Sequence, residues 1–169
     1  IIEVDGNHQE TLIKEMESIS ELLLQFDCGD IFFADDAQQK AELWKLRRRV
    51  AEAVKIDGYT IEEDTVVPRA QLPALIKGVK ELGKQFNFEV VCYGHAGDCN
   101  LQIRIKKPGS IYSLNNPDVV PALNALFKLV KSLGGTISGE HGIGLVQKAY
   151  MDIVFEKANM EIMKGIKKV

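Results

Sequence analysis

Two apolar segments, residues 88–93 and 101–105, are joined by Gly94-His95-Ala96-Gly97-Asp98-Cys99-Asn100. Strand-like segments on either side of a glycine-bearing turn constrain the fold more than any other feature here, because they predict a hairpin with functional groups at its tip and rim. Side chains alternate across a strand, so Leu101, Ile103 and Ile105 take one face while Asn100, Gln102 and Arg104 take the other. The tip holds His95, one of three histidines in the sequence. A second glycine-rich stretch, Gly134-Gly135-Thr136-Ile137-Ser138-Gly139-Glu140-His141-Gly142-Ile143-Gly144, holds His141. Glycine lets backbone approach a ligand closely and adopt positive φ. Taken singly, either stretch reads equally well as an ordinary turn with an exposed histidine. Taken together, two such turns could face one site.

Around the hairpin the chain reads as strands interleaved with amphipathic helices. Residues 1–4 and 31–34 read as short strands. Asn7 and Glu10 have capping-box spacing for a helix reaching about Phe26, with Leu12, Met16, Ile19, Leu22, Leu23 and Phe26 as its apolar stripe. His8, in its first turn, reads as a surface residue. Asp35 and Asp36 are N-cap candidates for a second helix with the seam Leu43, Leu46, Val50 and Val54. Asp57-Gly58-Tyr59 marks a turn, residues 60–67 a strand, and Pro68 the start of a helix carrying Leu72, Leu75, Ile76, Val79, Leu82 and Phe86. Residues 106–110 form an exposed connection. Asn116-Pro117 has N-cap and N1 chemistry for a helix with Val120, Leu123, Leu126, Phe127 and Val130, and residues 145–150 and 154–168 are helical in character. Roughly four or five strands with about five helices and a clear hairpin indicate an α+β fold, an antiparallel sheet covered by helices.

Length suits one domain over residues 1–169, and 46% hydrophobic with 27% charged residues is the balance of a soluble globular protein. A formal net charge of −3 gives no electrostatic case for nucleic acid. Cys28, Cys92 and Cys99 are odd in number and lack C-x-x-C spacing, which argues against a disulfide framework or structural zinc and points to the cytoplasm. No apolar run approaches a transmembrane span. The opening Ile1-Ile2-Glu3-Val4, without an initiator methionine, suggests a fragment of a longer chain.

Gly94-His95-Ala96-Gly97-Asp98-Cys99-Asn100 and Gly139-Glu140-His141-Gly142 together resemble the two signatures in the C-terminal domain of FAD-linked oxidases of the vanillyl-alcohol oxidase type. The nearest branch is that of the D-lactate, glycolate and 2-hydroxyglutarate dehydrogenases, and the resemblance covers nearly the whole chain. It implies a ferredoxin-like cap domain, with FAD bound mainly by an upstream domain; no G-x-G-x-x-G fingerprint is present here. The complete enzyme would oxidise a 2-hydroxy acid, of D-lactate or glycolate type, and pass a hydride to FAD. Its electron acceptor is left open, as is a peripheral attachment of the whole protein to a membrane. By matched position, the resemblance makes His95, Glu140 and Gln102 the candidate ligands of a divalent metal (Zn, Mn or Fe) and His141 the catalytic base. It makes Arg47, in Leu43-Trp44-Lys45-Leu46-Arg47, the grip on the substrate carboxylate. Asn100, placed on the site face by strand alternation, is a second candidate substrate contact. An imidazole suits the base because it titrates near neutrality.

Several matched positions depart from the family pattern. Gln102 stands where the family has a second histidine ligand, and a neutral amide oxygen is a weaker donor to transition metals. Cys99 replaces a glycine, Ala51 a threonine contact, and Glu62 a lysine found in the 2-hydroxyglutarate group. An acidic group at 62 would repel a second carboxylate if it faced the site, which argues against a dicarboxylate. Glu62-Glu63-Asp64 resembles the family's acidic segment before Val-Pro. Adjacent carboxylates on a strand point to opposite faces, which excludes Glu62 and Glu63 as an acid–base pair. Two other readings stand beside the oxidase: a stand-alone metal hydrolase using His95, Asp98, Glu140 and His141, and a non-catalytic ferredoxin-like binding or assembly module.

Overall fold

The structure is a computed structural model describing residues 1–56, 61–106, 117 and 119–169. It divides into two compact units, Ile1–Ala53 and Val54–Val169.

In the first unit, α1 (Gln9–Leu23) lacks the expected Asn7–Glu10 capping box. It starts instead at His8, whose carbonyl accepts from the backbone N–H groups of Thr11 and Leu12, with no side-chain cap. The cap of α2 (Ala37–Ile56) forms as expected, because Gln39 N donates to Asp36 Oδ1 at 2.7 Å. Gln39 Oε1 accepts in turn from Asp35 N at 3.2 Å, a reciprocal arrangement that satisfies two donors at the helix entry. Residues 1–4 and 31–34 are not strands: a strand needs a hydrogen-bonding neighbour, and every ladder among the described residues lies in the second unit. Their apolar side chains, with Leu12, Met16 and Trp44, line a groove of about 740 Å³. The half-buried face of α2 is Leu43, Trp44, Arg47 and Ala51, while Leu46 and Val50, expected in the seam, are exposed. Arg48 and Arg49 are solvated, as a run of charge on a helix usually is.

The second unit is built on a three-stranded antiparallel sheet in the order β1-β3-β2, from β1 (Ile61–Val66), β2 (Glu89–His95) and β3 (Asn100–Lys106). The predicted hairpin is β2–β3, with Cys92 opposite Ile103 and His95 opposite Asn100. Pro68 precedes a single 3-10 turn, Arg69–Gln71, that leads into α3 (Leu72–Phe86). Helix α4 (Val120–Ser132) begins after Val119, with Pro121 rather than Pro117 in its first turn. Asn116, the Asp57–Tyr59 turn, Thr60 and most of the 106–110 connection lie outside the described residues. Of residues 145–150 only Lys148–Tyr150 is helical, as a 3-10 turn running into α5 (Met151–Val154), and α6 (Lys157–Lys167) follows.

Helices α3 and α4 cover one face of the sheet. Leu75, Val79, Leu123, Phe127 and Val130 pack there on Ile61, Leu101, Ile103 and Ile105, and Phe127 meets Tyr150 with ring centroids 4.8 Å apart. This is the α+β arrangement the periodicities predict. Glu62, Asp64, Tyr93, His95, Asn100, Gln102 and Arg104 share the opposite face by register and alternation. Glu63 is turned into the core, as alternation requires. No helix among the described residues is long and apolar enough to cross a membrane.

Candidate active site

The first turn is a 3-10 turn, Ala96–Asp98, between β2 and β3. It is pinned from outside the hairpin: Arg69 Nη2 donates to the Gly97 carbonyl at 2.8 Å, and Val67 N to the Cys99 carbonyl at 3.3 Å. Cys99 closes it in the left-handed region, φ 63°, where a glycine would carry no steric penalty. Cys99 is a free thiol beside an otherwise polar turn. Cys92 faces the core, and burial, eased slightly by the charge of Lys80, pushes its thiol up to about 11, so it stays protonated.

The second turn docks onto β1. Val66 and Thr136 exchange backbone hydrogen bonds of 2.8 and 3.1 Å, an isolated bridge that extends the sheet edge by one pair. Beyond it the chain curls over Asp64. The backbone N–H groups of Gly139, Glu140 and His141 all donate to Asp64 Oδ2, at 2.8, 2.7 and 2.9 Å, and Asn100 Nδ2 donates to Oδ1. Burial raises the pKa of this carboxyl, but the four donors outweigh it and hold Asp64 below its ordinary value. Gly139 is required by space: an added Cβ would lie 2.7 Å from Val66 Cγ2 and 2.9 Å from Asp64 Oδ1.

The turn's curl delivers Glu140 and His141 to the rim of the polar face. Gln102 Nε2 donates to Glu140 Oε1 at 3.0 Å, and His141 Nε2 lies 3.6 Å from the same oxygen. Gln102, Glu140 and His141 are therefore gathered at one place from positions far apart in sequence. His95 is exposed on the same sheet face, one strand over, opposite Asn100. Asn100 is buried and turned to Asp64. Asp98 is exposed in the first turn, and Arg47 belongs to the first unit, on the half-buried face of α2.

Toward the other end of the polar face, Arg104 is only 4% exposed and donates from Nε to Tyr93 Oη at 2.9 Å and from Nη2 to Glu62. Glu62 thus does face the site side, but its charge is matched by a buried guanidinium rather than left free to repel an anion.

Among the described residues no three His, Cys, Asp or Glu side chains are grouped to hold an ion, and Gln102 turns an N–H donor, not its carbonyl oxygen, toward Glu140.

All 169 residues match the family described as FAD linked oxidases, C-terminal domain. The chain belongs to that family. It is 32% identical, over 98% of its length, to a D-lactate dehydrogenase from Anaerostipes hadrus, and 30% identical, over 99%, to a glycolate oxidase subunit from Bacillus subtilis. A D-2-hydroxyglutarate dehydrogenase from Stutzerimonas stutzeri is 27% identical over the whole chain. The alignments span 35%, 35% and 37% of those proteins, so the chain covers about a third of each relative. FAD is the cofactor of this oxidase family. The second turn is the kind of backbone nest that binds a phosphate, but its three N–H groups are filled by Asp64, and a flavin phosphate does not fit there.

Asp64, the acceptor of these four hydrogen bonds, has no role in the motif reading. Its signals were the acidic run before Val66-Val67-Pro68 and alternation, which separates Asp64 from Glu63; its partners lie 75 to 77 residues away.

Proposed function

We propose that this chain is the substrate-side catalytic domain of an FAD-dependent 2-hydroxy-acid dehydrogenase of the D-lactate or glycolate type. In this reading the flavin is bound mainly by a domain outside these residues. The observation that carries it is the gathering of Gln102, Glu140 and His141 on the polar face of the sheet, in a chain of this family. FAD, when bound, supplies the two-electron acceptor. His141 takes the proton of the substrate hydroxyl. Glu140 Oε1 lies 3.6 Å from His141 Nε2, and Gln102 Nε2 donates to that same oxygen, which holds the Glu140 carboxylate beside the base. The family resemblance assigns the substrate carboxylate to Arg47, whose guanidinium offers two parallel donors, and we keep Asn100 as a candidate substrate contact. A monocarboxylate is favoured because Arg104, the buried cation of this face, is already engaged by Glu62 and Tyr93. Free cysteines fit a reducing cytoplasm.

The test is steady-state oxidation of D-lactate and glycolate, with a dye as electron acceptor, by the FAD-loaded protein that carries this domain. His141→Ala lowers kcat by about 100-fold or more, the range for a positioned general base. Arg47→Ala raises KM by roughly 10-fold, as loss of a charge-assisted hydrogen bond does, with a smaller change in kcat. Wild-type turnover by His141→Ala across the pH range would remove the base assignment.

A further inference from the structure

We propose that Asp64 is the positioning residue of this site, a carboxylate whose grip on the Gly139–His141 backbone sets the direction in which Glu140 and His141 point. The proposal rests on the reading of His141 as base, and adds to it the device that holds the base in place. Three consecutive backbone N–H groups converge on one carboxylate oxygen, all within 2.9 Å. Successive peptides turn their donors to one point only when the backbone follows a tight arc, so the anion and the arc determine each other. Glu140 and His141 are two of those three residues, and the direction of each side chain follows from its own peptide plane.

Asp64 is itself fixed. It is 2% exposed, sits on β1 in register with Gln102, and takes a fourth hydrogen bond from Asn100 at the head of β3. One carboxylate therefore ties together β1, the hairpin strand that carries Gln102 and the loop that carries Glu140 and His141. A buried carboxylate is costly unless its lone pairs are filled, and here four donors fill them. A neutral amide cannot reproduce the arrangement: Asn at 64 keeps one good acceptor, but its NH2 group confronts the Nδ2 of Asn100. Asn100 Oδ1, which is buried and has no partner among the described residues, gives the amide a way to relax by turning over, so Asp64→Asn is a mild variant and Asp64→Ala a severe one.

The experiment uses the FAD-loaded full-length protein, wild type, Asp64→Asn and Asp64→Ala, with two readouts. Hydrogen exchange by mass spectrometry compares the segment 138–142 with the core strand segment 101–105. Steady-state kinetics with the hydroxy acid separate kcat from KM. The expected result is faster exchange at 138–142 with 101–105 unchanged. It is accompanied by a fall in kcat of about 10-fold for Asn and about 100-fold for Ala, the size expected when a reacting group is misplaced by an ångström, and by KM within about 2-fold. Equal acceleration of exchange in both segments, or a loosened 138–142 segment with wild-type kcat, overturns the proposal. If His141→Ala retains turnover, the functional reading fails separately, and the exchange comparison still decides whether Asp64 holds the turn.

Discussion

Replacing Glu63 with glutamine is expected to abolish most of the pH dependence of stability between about pH 4.5 and pH 7. Glu63 is fully buried on the core face of β1, opposite Ile103, and has one hydrogen bond, from Gln147 Nε2 at 2.7 Å. Among the described residues its second oxygen has no partner, nor does Gln147 Oε1. Burial pushes its pKa from 4.5 to about 7; the Gln147 hydrogen bond opposes the rise, while Glu62 and Asp64 add to it. The folded state therefore holds this proton more tightly than the unfolded chain. Stability from the protonated group is complete below about pH 4.5, falls as pH rises toward 7, and is absent above it. The gap from 4.5 to about 7, at about 1.4 kcal/mol per pH unit, amounts to about 3–4 kcal/mol. Glutamine is neutral throughout, keeps an acceptor for Gln147 Nε2, and brings an N–H donor to a pair in which Gln147 Oε1 lacks one. Chemical denaturation followed by circular dichroism on both proteins is the assay. The two should be nearly equal at about pH 4.5, with Glu63→Gln more stable by about 3–4 kcal/mol near pH 8. Parallel stability curves across that range would refute the argument that Glu63 is buried with an uncompensated charge.

The wild-type domain should hold zinc weakly, and Gln102→His should tighten binding by about 10- to 100-fold by adding a second imidazole to the set; equal zinc affinity in titration calorimetry would show that position 102 does not govern the metal. Gly139→Ala should cost about 1–3 kcal/mol, because its Cβ would run into Asn100, Val66 and Asp64. Gly94→Ala should cost a similar amount, its Cβ meeting the Asn100 carbonyl and lying 3.1 Å from Leu101 Cα. Gly97→Ala, with nothing within 4 Å of the new atom, is the control whose melting temperature should not move.

The sequence alone determined what is local and periodic. Alternation in residues 101–105 set the two faces of β3, and the same rule separated Glu63 from Glu62 and Asp64. The three-to-four-residue spacing of Leu72, Leu75 and Val79, and of Leu123, Phe127 and Val130, identified the helix faces that became the core. The two glycine–histidine stretches were enough to identify the family. Tertiary structure decided the rest, because it depends on which segment finds which neighbour. Residues 1–4 and 31–34 have strand composition, but composition supplies no partner for their backbone donors, and they form no ladder. Gln102 meets Glu140 across 38 residues, and Asp64 meets Gly139 across 75. Nothing periodic in the chain encodes those distances. They follow from the second turn docking by Val66–Thr136 onto the edge of β1, which brings the Gly139–His141 backbone over Asp64.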